Sequence, residues 1–173
     1  LMAMSPIGTG EEPGGYRPTQ DAESVFRARK AVCEGYARLL VALGKQTGDE
    51  IVYLHGDVRE PDGSAAPTKH AWNGVQIDGK WYLVDATWDD PVSNEDVYRT
   101  DYLFIPPSLA VFDHLPWEPR WQLLATPLDR GDFLRQPLAR PTFARSGLTL
   151  VNPDRSTVDV EGPLALELLN PLK

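Results

Sequence analysis

The chain is expected to fold as an α+β protein, and three stretches carry that expectation. Residues 21–44 contain two apolar runs with helical spacing. Residues 69–90, KHAWNGVQIDGKWYLVDATWDD, contain two runs rich in β-formers on either side of Asp78-Gly79. From Val111 onward, short apolar runs recur between Pro, Gly and polar turn residues. Together they predict a helix packed on an antiparallel sheet, followed by a small all-β, sandwich-like module. The corresponding division is a flexible leader at 1–20, a core at 21–110 and a β-rich module at 111–173.

The leader, LMAMSPIGTGEEPGGYRPTQ, is rich in Gly and Pro and has no apolar period. Its glycines are not followed by the Gly-Lys-Ser/Thr that a phosphate loop needs. Asp21 is a candidate N-cap for a short helix, AESVFRARK, with Glu23 in its first turn. A second helix is expected from about Val32, with Tyr36, Leu39, Leu40 and Leu43 as its buried stripe and Gly44 as its C-terminal cap. Glu50 to Val58 forms a strand that carries His55. The following REPDGSAAPT is a polar, turn-rich loop of the kind that borders sites and controls access to them.

The central hairpin can be registered from its turn. Asp and Gly tolerate the positive φ of a two-residue type I′ connection. Counting from the Asp78-Gly79 turn, Ile77 opposes Lys80, Gln76 opposes Trp81, Gly74 opposes Leu83, and Trp72 opposes Asp85. His70 then shares a face with Asp85, diagonal to it at roughly 7 Å between backbones, a gap that long side chains bridge. Trp72 and Trp81 project onto the same face. Beyond the hairpin, DDPVSNEDVYRTDY is expected to be a solvated acidic loop. Asp89, Asp90, Glu95 and Asp96 lack the ligand alternation and central Gly of a calcium-binding loop. LFIPP is a short buried segment. In the last third, GLTLV, TVDV and LALELL are expected strands, and His114 is expected to be structural, with no carboxylate partner on a shared strand.

Composition narrows the function classes. The chain has 173 residues, 42% hydrophobic and 24% charged, which suits a globular protein with a real core. Sixteen prolines and fourteen glycines argue against a helical bundle. A formal charge of −8 disfavours nucleic acid and anionic membrane surfaces as partners. No apolar run has transmembrane length, so no membrane insertion is expected. The single cysteine excludes an internal disulfide and any zinc site built on paired Cys ligands. No metal or cofactor is expected.

That cysteine, Cys33, falls in the first turn of the second helix. Unsatisfied N–H groups and the positive end of the helix dipole favour a thiolate there. A spectator thiol belongs mid-helix on the apolar stripe, so the position points to reactivity. Thiol chemistry needs a nucleophile, a base and a group that orients the base. Cys33, His70 and Asp85 meet that need from a helix start and two paired strands.

The blocks AVCEGYARLL and KHAWNGVQIDGKWYLVDATWDD, with the length between them, resemble the transglutaminase-like fold of the papain-like cysteine peptidase superfamily. HLPWEPRWQLL, GDFLRQP and PTFARSGLTL resemble its kyphoscoliosis-peptidase branch, in which a β-rich module follows the catalytic core. The resemblance implies Cys33 as nucleophile, His70 as general base and then acid, and Asp85 as the orienter of His70. It also implies acyl transfer on a protein or peptide substrate through a thioester, which water or an amine then resolves. For the oxyanion, the Cys33 backbone N–H is the expected donor rather than the upstream amide of Gln20. Trp72 and Trp81 are candidate substrate-binding residues that could shield the thioester, or could simply pack the helix onto the sheet. The competing reading is a non-catalytic scaffold of the same fold that acts as a protein-interaction module. A third is an amidase acting on cell-wall peptides or another non-protein amide.

Overall fold

The computed structural model describes residues 19–90 and 99–170. They fall into two units, one within Leu1–His55 and His70–Ile105, the other within Gly56–Lys69 and Pro106–Lys173. The expected leader up to residue 18, and with it the GTGEEPGG stretch, lies outside the described residues, as do Glu95 and Asp96 of the acidic loop.

In the first unit, α1 (Ala22–Ala28) starts where its cap predicts: Asp21 accepts a hydrogen bond from the Ser24 N–H at 3.0 Å. The next helix, α2 (Cys33–Thr47), begins at Cys33 itself. It continues one turn beyond the expected stop at Gly44, to a cap at Gly48. Its buried positions are Gly35, Ala37 and Gly44 rather than the leucine stripe, and Leu43 is 45% exposed. Small residues take this face because neighbouring elements come very close. A Cβ on Gly44 would stand 2.7 Å from Ile51 Cγ1, well inside contact distance.

The sheet of this unit runs in the order β3-β2-β1, with β1 at Ile51–Val58, β2 at His70–Ile77 and β3 at Lys80–Val84. The β2–β3 hairpin has the register that its turn predicts, from Ile77↔Lys80 through Gln76↔Trp81 and Gly74↔Leu83 to Asn73↔Val84. Asp78 and Gly79 both have positive φ, 50° and 76°, and no bulge disturbs the parity. Asn73 is 1% exposed, and its amide donates to Ala37 O of α2 at 3.0 Å and to Val52 O of β1 at 3.1 Å. After β3 comes a single turn, α3 (Ala86–Asp89). Returning chain then runs beside the end of β3, with Asp85 N–H donating to Tyr102 O and Ile105 N–H to Leu83 O, both at 3.1 Å. Of the LFIPP segment expected to be buried, Ile105 is buried (2% exposed), while Leu103 and Phe104 are exposed.

In the second unit, the end of β1 pairs antiparallel with β4 (His114–Pro116) through Gly56↔Pro116, Asp57↔Leu115 and Val58↔His114. The polar loop after β1 is anchored by a buried arginine. Arg59 is 1% exposed, lies over the Phe133 ring and donates to Gly63 O, Phe112 O and Gln136 O. The nearly buried Asp57 carboxylate collects Lys69, Arg130 Nε at 2.9 Å and Trp117 Nε1 at 3.4 Å.

The described residues after Val111 are not all-β. They include α5 (Arg130–Arg135) and α6 (Pro141–Arg145), after the short α4 at Pro107–Ala110, besides one two-stranded ribbon of β5 (Thr149–Asn152) and β6 (Glu167–Leu169). TVDV forms no strand. The helix starts were present in the Pro-rich texture: Asp129 caps α5 by accepting from Asp132 N–H, and a proline opens α6. Among the described residues, no helix is long and apolar enough to cross a membrane.

Asn73 gives the fold a direct test. Asn73→Ala removes both amide hydrogen bonds between β2 and its neighbours and leaves a small void. A loss of about 2 kcal/mol in urea unfolding is expected, with β2–β3 hairpin contacts retained in the folded fraction.

Candidate active site

Cys33, His70 and Asp85 come together within the first unit. Cys33 is the first helical residue of α2, His70 opens β2, and Asp85 follows the last residue of β3. His70 and Asp85 are 5% and 2% exposed, whereas Cys33 is half-buried.

The carboxylate of Asp85 is fixed through both oxygens. Its Oδ2 lies 2.6 Å from His70 Nε2, and its Oδ1 accepts from Thr87 N–H at 2.9 Å and Trp88 N–H at 3.2 Å. Asp85 is thus the N-cap of α3 as well as the partner of His70. An ionised carboxylate only accepts, so the imidazole proton on this side sits on Nε2. That leaves Nδ1 for the hydrogen bond that His70 shares with Cys33.

The electrostatics follow from that chain of contacts. Burial of the thiol works against ionisation. The hydrogen bond and charge of His70, with a further hydrogen bond from the Ala71 backbone, outweigh it and hold Cys33 below its ordinary value. Burial likewise disfavours a charged His70, but the adjacent Asp85 carboxylate, helped by Cys33, pushes it up to about 10. Both shifts favour a thiolate–imidazolium pair.

Two indoles flank His70. Trp72 is almost fully buried and its ring stacks at 6.0 Å between centroids with a 22° interplanar angle. Trp88 lies closer, at 5.3 Å and 36°, and is itself braced edge-on by Tyr102. Sequence reasoning missed Trp88, although a signal existed: it stands three residues after Asp85, inside the turn that Asp85 caps. Trp81, by contrast, is set apart from the triad. It opposes Gln76, six residues along β2 from His70 and roughly 20 Å away at a strand's rise. Parity puts the two on one face of the hairpin, and distance along it separates them.

Two acids expected in solvent instead build the surroundings. Asp90 accepts from the Tyr36 hydroxyl at 2.5 Å, tying α2 to the end of α3. Burial and that carboxylate both raise the Tyr36 pKa, keeping the phenol a donor. Asp89 accepts from Tyr102 N–H at 3.0 Å, and its partial burial raises its pKa. His114 is buried in the second unit with Nδ1 2.7 Å from the Oδ1 of Asp113, the residue just before β4.

Residues 9–86, a span that contains all three triad positions, match the Transglutaminase-like superfamily. The chain is 27% identical over 154 residues to the kyphoscoliosis peptidases of Mus musculus and Homo sapiens, an alignment that takes in 83% of this chain and 23% of each relative. It is 26% identical over 98 residues to Hillarin of Drosophila melanogaster, covering 46% of this chain and 12% of that protein. The chain therefore spans less than a quarter of the length of the curated relatives it matches.

The His70–Asp85 contact makes stability depend on pH with a definite sign. His70 is raised from 6.5 to about 10 on folding, so the native state holds a proton that the unfolded chain releases earlier. Its contribution is fully present just below pH 6.5 and is lost as pH rises through about 10. Urea unfolding of the wild type and His70→Gln at pH 6 and pH 10 should show the gap between them shrinking at the higher pH.

Proposed function

We propose that this chain, which belongs to the transglutaminase-like superfamily, is a thiol acyl-transfer enzyme acting on peptide or carboxamide bonds of a protein or peptide substrate. The observation that carries the reading is the position of His70. It is hydrogen-bonded to a buried carboxylate on one side and to a half-buried thiol at a helix start on the other.

In the first step the Cys33 thiolate attacks the carbonyl carbon, and the C=O π pair moves onto oxygen. Val32 at the N-cap of α2 brings no side-chain acceptor to the first turn. We assign oxyanion stabilisation to the Cys33 backbone N–H, at the positive end of the helix dipole. As the oxyanion collapses, the C–N bond breaks and the imidazolium of His70 gives its proton to the departing amine. A thioester on Cys33 remains. Neutral His70 then takes a proton from an incoming nucleophile, which attacks the thioester; the C–S bond breaks and the thiolate–imidazolium pair is restored. Asp85 keeps the ring in the orientation and tautomer that serve both half-reactions. Water as nucleophile gives hydrolysis, which the name peptidase carried by the mouse and human relatives favours. A lysine-type amine gives cross-linking. The Trp72 and Trp88 faces beside His70 would limit water near the thioester in either case.

A thioester is testable as a mass adduct. After incubation with a mixed peptide substrate pool and an acid quench, the intact protein should carry an acyl group that hydroxylamine removes and that Cys33→Ala never acquires. Including glycine ethyl ester in parallel separates amine capture from hydrolysis. Turnover that survives in Cys33→Ala, or a folded wild type that never acylates, would contradict the assignment. The second result would leave the scaffold reading in its place.

Asp85→Asn sharpens the roles. The amide oxygen can still cap α3, so the fold should persist. The amide nitrogen would donate toward Nε2 and drive the ring proton to Nδ1, where the base must be free. The expected outcome is a fall in kcat on the order of 10²–10⁴-fold with little change in KM, measured beside circular dichroism.

A further inference from the structure

The N-terminus of α2 is built in an unusual way, and its construction points to one more residue that serves the thiol. A helix start is often closed by a capping box, in which the third helical residue is Glu or Gln and reaches back to the N-cap N–H. In α2 the N-cap is Val32, whose side chain makes no capping hydrogen bond, and the third helical residue is Gly35, which has no side chain. Both halves of the box are missing locally. The Val32 N–H is satisfied instead by Gln20, twelve residues upstream, whose Oε1 accepts it at 3.0 Å.

Gly35 is what lets that amide in. A Cβ on Gly35 would lie 2.5 Å from Gln20 Oε1, 2.8 Å from Ala31 Cβ and 2.8 Å from Val25 Cγ2. The carboxamide oxygen therefore occupies the space where the third residue of the helix would carry its own side chain. Its backbone is held independently, because the next residue, Asp21, caps α1, and Val25 of α1 is packed at 1% exposure. The short helix α1 thus returns Gln20 to the first turn of α2, whose first residue is Cys33.

We propose that Gln20, admitted by Gly35, is a positioning residue for Cys33: it fixes the first turn of α2 and so holds the thiol at hydrogen-bonding distance from His70. This rests on the reading of Cys33 as nucleophile. The role is distinct from oxyanion donation, since the atom that does the work is the amide oxygen, an acceptor. The requirement is for a side chain of this length with an acceptor at its tip, entering a helix that lacks a side chain at its third position.

The test is the pH dependence of Cys33 alkylation by iodoacetamide. It is followed in the full chain for wild type, Gln20→Met, Gln20→Glu, Gly35→Ala and, as a stability control, Asp129→Ala, which removes the cap of α5 in the second unit. Gln20→Met keeps length and bulk but loses the acceptor. It should raise the inflection by about one pH unit and slow alkylation about tenfold at pH values below both inflections, in line with the fraction of thiolate. Gly35→Ala should do the same by pushing the amide out. In Gln20→Glu the acceptor is kept, so the limiting rate at high pH should match wild type while the added charge raises the inflection. Asp129→Ala should lower the melting temperature and leave the profile unchanged. A folded Gln20→Met with the wild-type profile would overturn the positioning role alone. If Gln20→Met does not fold, a wild-type profile in a folded Gly35→Ala would overturn it equally. A wild-type inflection at the value of an ordinary thiol would overturn the nucleophile reading, and this inference with it.

Discussion

The contact between His70 and Asp85 is the constraint to which the first unit is fitted. Each group is at most 5% exposed, and removing a carboxylate and an imidazolium from water costs several kcal/mol apiece unless each finds a partner. Asp85 meets that cost with three hydrogen bonds, from the imidazole and from two backbone N–H groups of the turn it caps. Breaking such a pair from one side strands the other charge, a loss typically of about 3–5 kcal/mol. The bond between them is therefore part of the fold, and the local chain is arranged to protect it. The Tyr102 carbonyl holds the Asp85 backbone, and Trp88 and Trp72 cover the ring.

Around that pair, the approach of α2 is set by what its residues omit. Glycine or alanine at positions 35, 37 and 44 lets the helix come close to α1, β2 and β1, and Asn73 ties it to the sheet through Ala37 O. Larger side chains on this face would push the helix outward and separate the thiol from the imidazole. Packing and chemistry are linked here through distance: the charge-assisted contact that lowers the thiol and raises the imidazole falls off as the helix withdraws.

Much of this was legible in the sequence, and the physical reasons are specific. Asp78-Gly79 has one favoured geometry, and a two-residue turn fixes register without further information, so His70 and Asp85 could be placed on one face by counting. Asp21 announced α1 through its cap. The buried face of α2 was misjudged because apolar periodicity marks where large side chains recur, whereas this face is defined by close approach and filled by small ones. Parity gives the face of a strand but not position along it, so Trp81 reads in the sequence as a neighbour of His70. The charge of Asp89 and Asp90 points to solvent, and Arg59 stands in a stretch that reads as a polar loop. Their partners are a backbone N–H, a tyrosine hydroxyl and main-chain carbonyls distant in sequence, which local patterns cannot show. The helices α5 and α6 were hidden in a Pro-rich stretch read as turns, where a capping Asp and a leading Pro are also helix starts.

The geometry leaves His70 charged between a carboxylate and a thiolate. That charge state is tested most directly by ¹⁵N-imidazole NMR of the histidine-labelled chain, with His70 assigned from the spectrum of His70→Gln. Both His70 ring nitrogens should be protonated at pH 7 and stay so well above 6.5, toward about 10, and Cys33→Ala should lower that value. A neutral ring at pH 7, with one nitrogen bare and a titration at or below 6.5, would contradict it.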